Sequence, residues 1–157
     1  HVDLRSLQTT VKFDLITCLY DSINYMVKPA DFERVLGRFA GCLNRDGLLI
    51  FDICTKRNSV DHFLDMYDRG ICGNWKYERH SWYEMDNGLH HNDFKVWALD
   101  SDLAFSENHL QRIYSVKQVE RLITKVGLEL KARYADFGFK RGNESADRVH
   151  FVCALKK

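Results

Sequence analysis

Residues able to do chemistry gather at the ends of two apolar runs in this 157-residue chain. Phe13–Leu19 (FDLITCL) is almost continuously apolar and predicts a buried strand of the parallel kind. It opens into Cys18-Leu19-Tyr20-Asp21-Ser22-Ile23-Asn24-Tyr25, rich in hydrogen-bonding groups. Asp52 falls in a second run, Leu48–Ile53 (LLIFDI). Ligands of open α/β sheets bind outside the carboxyl ends of the strands, so both stretches belong to one prospective site. A carboxylate at position 52 could orient or deprotonate an amine, or could simply cap the loop from Ile53 to Asn58. Asp21 has the same alternative as a helix cap, and Tyr25 as plain packing. No metal site is expected: His90 and His91 are adjacent in a predicted strand and point to opposite faces, and no helical HxxxH occurs. The five cysteines (Cys18, Cys42, Cys54, Cys72, Cys153) contain no CxxC and are odd in number, which reads as reduced, mostly buried thiols.

The elements that must position these residues follow from periodicity. Pro29 suits the first turn of a helix, with Asp31 and Glu33 favourable beside its N-terminus. Phe32, Val35, Leu36, Phe39 and Leu43 recur at helical spacing through about residue 43. Asn44-Arg45-Asp46-Gly47 is turn chemistry, so strand, helix and strand form a right-handed βαβ unit. From 70 to 114 the chain predicts a β-rich insert. Asp86-Asn87-Gly88 joins Trp75–Tyr83 to Leu89–Leu99 as a hairpin, and His109–Tyr114 adds a third strand. Ser115 is an N-cap for a helix with Val119, Leu122, Ile123 and Val126 on its apolar stripe, and Gly127 stops it. Leu128–Phe137 and Val149–Leu155 close the chain as two strands with no helix between them. The last must therefore run antiparallel.

This order resembles the second half of a class I S-adenosylmethionine-dependent methyltransferase. Val2-Asp3-Leu4-Arg5 resembles the turn after the third strand. FDLITC followed by Tyr20–Tyr25 resembles the fourth strand and its loop. Leu43–Asp52 (LNRDGLLIFD) resembles the passage into the fifth, with Asp46 in place of the first glycine. ENHLQRIYS and Val126-Gly127-Leu128 resemble the flanks of the last helix. The flavour is that of the small-molecule branch, which includes nucleotide-sugar N-methyltransferases. The resemblance implies an α/β, Rossmann-like methyltransferase sheet, mostly parallel with an antiparallel last strand, and an antiparallel β insert as a lid. The resemblance further implies that the N-terminal part of that fold is missing here, since no glycine-rich cofactor loop precedes residue 13. Residues 1–157 are accordingly expected to be a single partial domain, a fragment inactive by itself.

The resemblance also implies roles. S-adenosylmethionine is the expected cofactor, with Asp3 accepting from the adenine amino group and Leu4, Cys18, Leu19 and Asp21 lining it. Tyr20, Asn24, Tyr25, Trp75, Trp97, Arg112 and Arg148 are expected around a small-molecule acceptor, the arginines meeting an anionic group or else forming surface ion pairs. His109, beside Gln111, is the expected base, because an imidazole titrates near neutrality; Asp52 is the second catalytic candidate, to orient or deprotonate an acceptor amine. A hydrogen-bonded structural histidine is the plainer alternative. Twenty-three Lys and Arg against 22 Asp and Glu give a formal charge of +1, so no nucleic-acid or membrane partner is expected. No apolar run approaches a membrane span, and a cytoplasmic protein follows from the thiols. The bare apolar edge at Phe13–Leu19 would favour pairing with a second copy as a homodimer. Two other readings stay open: a non-catalytic methyltransferase-fold partner or scaffold, and a dinucleotide-binding oxidoreductase, which an antiparallel last strand would argue against.

Overall fold

The computed structural model describes residues 2–157. Strand β1 (Phe13–Cys18) leads through a 3₁₀ turn (Ser22–Tyr25) to α1 (Pro29–Cys42), which returns the chain to β2 (Leu43–Cys54). β1 and β2 are parallel, as a βαβ unit requires. β2 begins five residues earlier than its apolar run, because Asn44–Gly47 continues along β1 through a register shift instead of turning away. Gly47 permits that close approach: a Cβ there would lie 2.7 Å from the Phe13 carbonyl oxygen.

The closing elements are α3 (Val116–Lys125), β7 (Leu128–Ala135) and β8 (Arg148–Leu155). Ser115 and Gln118 form a reciprocal capping box at the start of α3. The mixed sheet has the order β1-β2-β8-β7, with β8 antiparallel to both neighbours, so β8 is the one reversed member. α1 and α3 lie on one face of this sheet. Phe32, Val35, Leu36, Val119 and Ile123 bury their side chains against Leu49, Phe51, Ile53, Val149 and Phe151. Phe51 and Phe151 are register partners and stack at 5.1 Å between centroids, while Phe32 meets Tyr114 edge-on at 4.8 Å. On the opposite face and at the β1 edge, Phe13, Leu15 and Leu48 are exposed.

Between β2 and α3 lies the antiparallel insert. It contains two elements that the periodicity did not predict. α2 (Lys56–Phe63) is short and polar, with Ser59 its only buried residue and Thr55 capping it. β3 (Asp65–Cys72) is an exposed edge strand interrupted by charges. The insert therefore begins at Asp65, not at residue 70. β3, β4 (Trp75–Glu84), β5 (Leu89–Ala98) and β6 (Ala104–Arg112) form a four-stranded antiparallel sheet in sequence order. The β4–β5 turn ends on Gly88 at φ +66°, as the Asn-Gly pair requires. Among the described residues no helix is long and apolar enough to cross a membrane.

Candidate functional site

The carboxyl ends of β1 and β2 face one side of the antiparallel sheet, and a cavity of about 530 Å³ lies between them. That size suits a metabolite. Its insert wall follows strand alternation: His90, Asn92, Phe94 and Val96 from β5, and Glu107, His109 and Gln111 from β6. Arg79 of β4 and Phe63 of α2 complete that wall, and Asp21, Tyr25, Cys54, Asn58 and Arg148 form the other.

Asp21 is fixed from three directions. Its carboxylate accepts from Arg148 Nη2 at 2.7 Å and from Gln111 Nε2 at 2.6 Å, and its own N–H donates to Asp52 Oδ2 at 2.9 Å. Arg148 also pairs with Asp52. These bonds hold Tyr20 and Asp21 at φ +56° and +48°, a region that non-glycine residues rarely occupy. Gln111 thereby ties the insert to the loop after β1, and Asn24 does the same. The buried Asn24 amide donates to the Arg112 carbonyl at 2.7 Å and accepts from the Cys54 N–H at 3.3 Å.

On the cavity wall, Glu107, His109 and Tyr25 form a chain. His109 Nε2 lies 3.1 Å from Glu107 Oε2, and His109 Nδ1 lies 2.8 Å from the Tyr25 hydroxyl. A carboxylate only accepts, so Nε2 carries the proton; the neutral ring then accepts at Nδ1 from the Tyr25 O–H. Burial, reinforced by the charges of Asp21 and Glu107, raises the Tyr25 phenol above its ordinary value. This arrangement can take up a proton from a group in the cavity. The Cys54 thiol, pushed up to about 12 by burial first, is no thiolate and no nucleophile.

His90 is 4% exposed. Its Nδ1 meets the Ser59 hydroxyl at 3.1 Å and its Nε2 has no partner among the described residues. Burial, with the charge of Arg79, lowers its pKa to about 4. The unfolded ring titrates near ~6.5. Between those values the unfolded chain binds a proton that the native one refuses. Stability is therefore intact above pH ~6.5 and falls as the pH drops toward ~4, by about 3 kcal/mol at that end. His90→Gln should lose correspondingly less stability than the wild type between those pH values, read from urea unfolding. Equal losses would show that His90 is not held neutral.

Of the residues expected from the sequence, Asp21, Tyr25, His109 and Arg148 line the cavity. Others do not. Asp52 is fully buried and outside the cavity lining; its Oδ2 is engaged by Arg148 and the Asp21 N–H, and its Oδ1 has no hydrogen-bond partner among the described residues. Arg148 is likewise committed to two carboxylates and is no free anion receptor. Asn24 is a clamp between elements. The Arg112 guanidinium lies 5.9 Å from the Tyr114 ring, away from the cavity. Trp75 packs edge-on to Phe105 at the far end of the insert. Trp97 shares its face with His91, opposite the cavity, and carries Lys76 over its ring at 5.3 Å. Cys18 is buried, while Leu19 and Tyr20 are exposed at the strand end outside the cavity wall. Asp3 caps the 3₁₀ turn Leu4–Ser6 and pairs with Arg5 at 2.6 Å, which holds its carboxyl at about 2. Leu4 packs partly buried against the core. Sequence reasoning missed Arg79, His90, Asn92 and Glu107. The even-numbered stripe of β5 was the available signal for two of them. No cluster of described residues could hold a metal ion.

No family model matches the chain. It is 25% identical over 152 residues to the protein named "Putative methyltransferase YqeM" of Bacillus subtilis, covering 93% of this chain and 60% of that protein. Among solved structures it matches an S-adenosylmethionine-dependent methyltransferase from Clostridium acetobutylicum with a TM-score of 0.88 at 22% identity, covering 99% of this chain and 63% of the other. The sugar N-methyltransferase KedS8 from a Streptoalloteichus species matches with a TM-score of 0.72 at 18% identity, over 99% and 61% of the two chains. The chain spans about six-tenths of the length of the curated relatives it matches. It has the class I methyltransferase fold, combining a mixed sheet with an antiparallel one.

Proposed function

We propose that this chain is the acceptor-binding and proton-handling part of an S-adenosylmethionine-dependent methyltransferase for a small molecule. The observation that carries the reading is the Glu107–His109–Tyr25 chain on the wall of a metabolite-sized cavity, beside the strand ends where open α/β sheets bind ligands. The sequence likeness to methyltransferases supports it, and the sugar N-methyltransferase among the structural neighbours supports a small acceptor. The exposed face at Phe13, Leu15 and Leu48 supports a longer catalytic domain that covers it, contributing a glycine-rich cofactor loop. Antiparallel β8 argues against the dinucleotide-binding oxidoreductase.

S-adenosylmethionine, when bound, supplies an electrophilic methyl group. The cavity's work is then to position the acceptor, exclude water and take the proton that an amine or hydroxyl releases. Tyr25 contacts the acceptor and passes that proton to His109 Nδ1, and Glu107 stabilises the resulting imidazolium. Asp21, in its left-handed conformation, fixes the loop edge between cofactor and acceptor. Asp3 keeps free lone pairs beside its Arg5 bond and stays the candidate for the adenine amino group. Calorimetry of the full-length protein should show binding of S-adenosylmethionine and of its demethylated product, S-adenosylhomocysteine. Absence of both overturns the reading in favour of a non-catalytic scaffold.

A further inference from the structure

We propose that the cavity selects its acceptor by an anionic group, a carboxylate or a phosphate, held by Arg79 with His90 beside it. This rests on the reading of the cavity as the acceptor site and names the substrate class.

Arg79 is a half-buried cation with no carboxylate within ion-pair distance; the carboxylate that acts on it from farther off is Asp68, its register partner on β3. Its guanidinium lies 5.0 Å from the Phe63 ring centroid and 5.3 Å from that of Phe94, between the two rings. Nε and Nη2 both donate to the Asn92 amide oxygen, Nε at 3.0 Å. That oxygen also accepts from the fully buried Ser81 hydroxyl at 2.6 Å. The fork is therefore oriented in advance by neutral groups. Among the described residues no carboxylate comes within ion-pair distance of it, whereas Arg148 across the cavity has two. This guanidinium is partly out of water and its charge is met only from a distance by Asp68, so a closer anion would stabilise it.

His90 gives a second, independent sign. It is two residues from Asn92 on β5, hence on the same face, and more than nine-tenths buried. The Ser59 hydroxyl has no other acceptor among the described residues, so it donates to Nδ1; the neutral ring then carries its proton on Nε2, which no described residue satisfies. The Arg79 Nη1 left free by the Asn92 bonds and the unsatisfied His90 Nε2 lie on one wall and are matched by an oxyanion. The Phe94 ring touches both Arg79 and His109, the latter at 5.7 Å between centroids. The anion and the reacting atom thus sit about one aromatic ring apart, which describes a short amine or alcohol bearing its own negative group.

Matched probes test this on the full-length protein by calorimetry: phosphoethanolamine against ethanolamine, and β-alanine against propylamine. In at least one pair the anionic member should bind tighter by at least about tenfold. Whichever pair shows the preference distinguishes phosphate from carboxylate. Arg79→Gln should abolish the preference, and Arg79→Lys, a point charge without the fork, should keep part of it. His90→Gln should weaken the anionic member alone. Equal binding within both pairs, no binding of either anionic probe at millimolar concentration, or an unchanged preference in Arg79→Gln overturns the proposal. Loss of S-adenosylhomocysteine binding in Arg79→Gln also overturns it, because the cation would then serve the cofactor. A wild type that binds S-adenosylhomocysteine without any anion preference sinks this inference and leaves methyl transfer standing. An Arg79-dependent preference without cofactor binding does the reverse.

Discussion

Asp52→Ala should destabilise the protein by about 3–5 kcal/mol, the cost of leaving a buried charge without its partner. Asp52 is fully buried, and its removal takes from the largely enclosed Arg148 guanidinium one of its two carboxylates, leaving Asp21 as the other. It also removes the acceptor for the Asp21 N–H, one of the bonds that hold Tyr20 and Asp21 in the left-handed region. Loop and ion pair should fail together. Urea unfolding should show a lower midpoint with an unchanged slope. The pair Asp52→Leu with Arg148→Met should recover only part of the stability, because it removes the buried pair of charges but takes Arg148 away from Asp21, and it should not recover the loop. A loss under about 1 kcal/mol for Asp52→Ala would show that the pair is hydrated, contrary to its burial. The order of effects separates positioning from chemistry: Asp52 acts on the site only through Arg148 and Asp21.

His109→Ala should lower kcat/KM for the acceptor by about 10²–10⁴, the range for loss of a general base, while binding of S-adenosylhomocysteine and the unfolding midpoint stay near wild type. His109 lies on a wall of the cavity, bonded to Tyr25 on one side and Glu107 on the other, and does not belong to the core around Phe51. Tyr25→Phe should reduce kcat with smaller change in KM, because it breaks the path of the proton and leaves the ring in place. An unchanged kcat/KM in His109→Ala would assign the base elsewhere and leave the Glu107–His109–Tyr25 chain a structural clasp between the insert and the loop after β1.

Much of the scaffold was legible because local patterns and tertiary packing agree. Phe32, Val35, Leu36 and Phe39 recur at helical spacing and all face the sheet in α1. The Asp86-Asn87-Gly88 turn needs a positive φ at Gly88 and has one. α2 and β3 escaped for the converse reason: one buries only Ser59 and the other is an exposed edge, so neither carries an apolar period to read. Within the site, residue type found His109 and Asp21, which carry conspicuous chemistry at strand ends. It left Asp52 and Arg148 open between ligand and capping or ion-pair roles, because a carboxylate and a guanidinium read alike as ligands until their mutual contact is seen.

The sequence by itself determined the order of elements, the parallel βαβ start, the reversal of the last strand and hence the class I methyltransferase fold. These follow from apolar periodicity, turn residues and the absence of a crossover helix between β7 and β8. Only the tertiary structure decided which charges are spent and which are free. Arg148 finds Asp21 and Asp52 from segments more than ninety residues away, whereas Arg79 finds none within ion-pair distance. Strand alternation turned Phe94 toward the cavity and Trp97 away from it, once pairing with β4 and β6 had set which face of β5 looks inward. A period of two names two faces; only packing says which one holds the ligand.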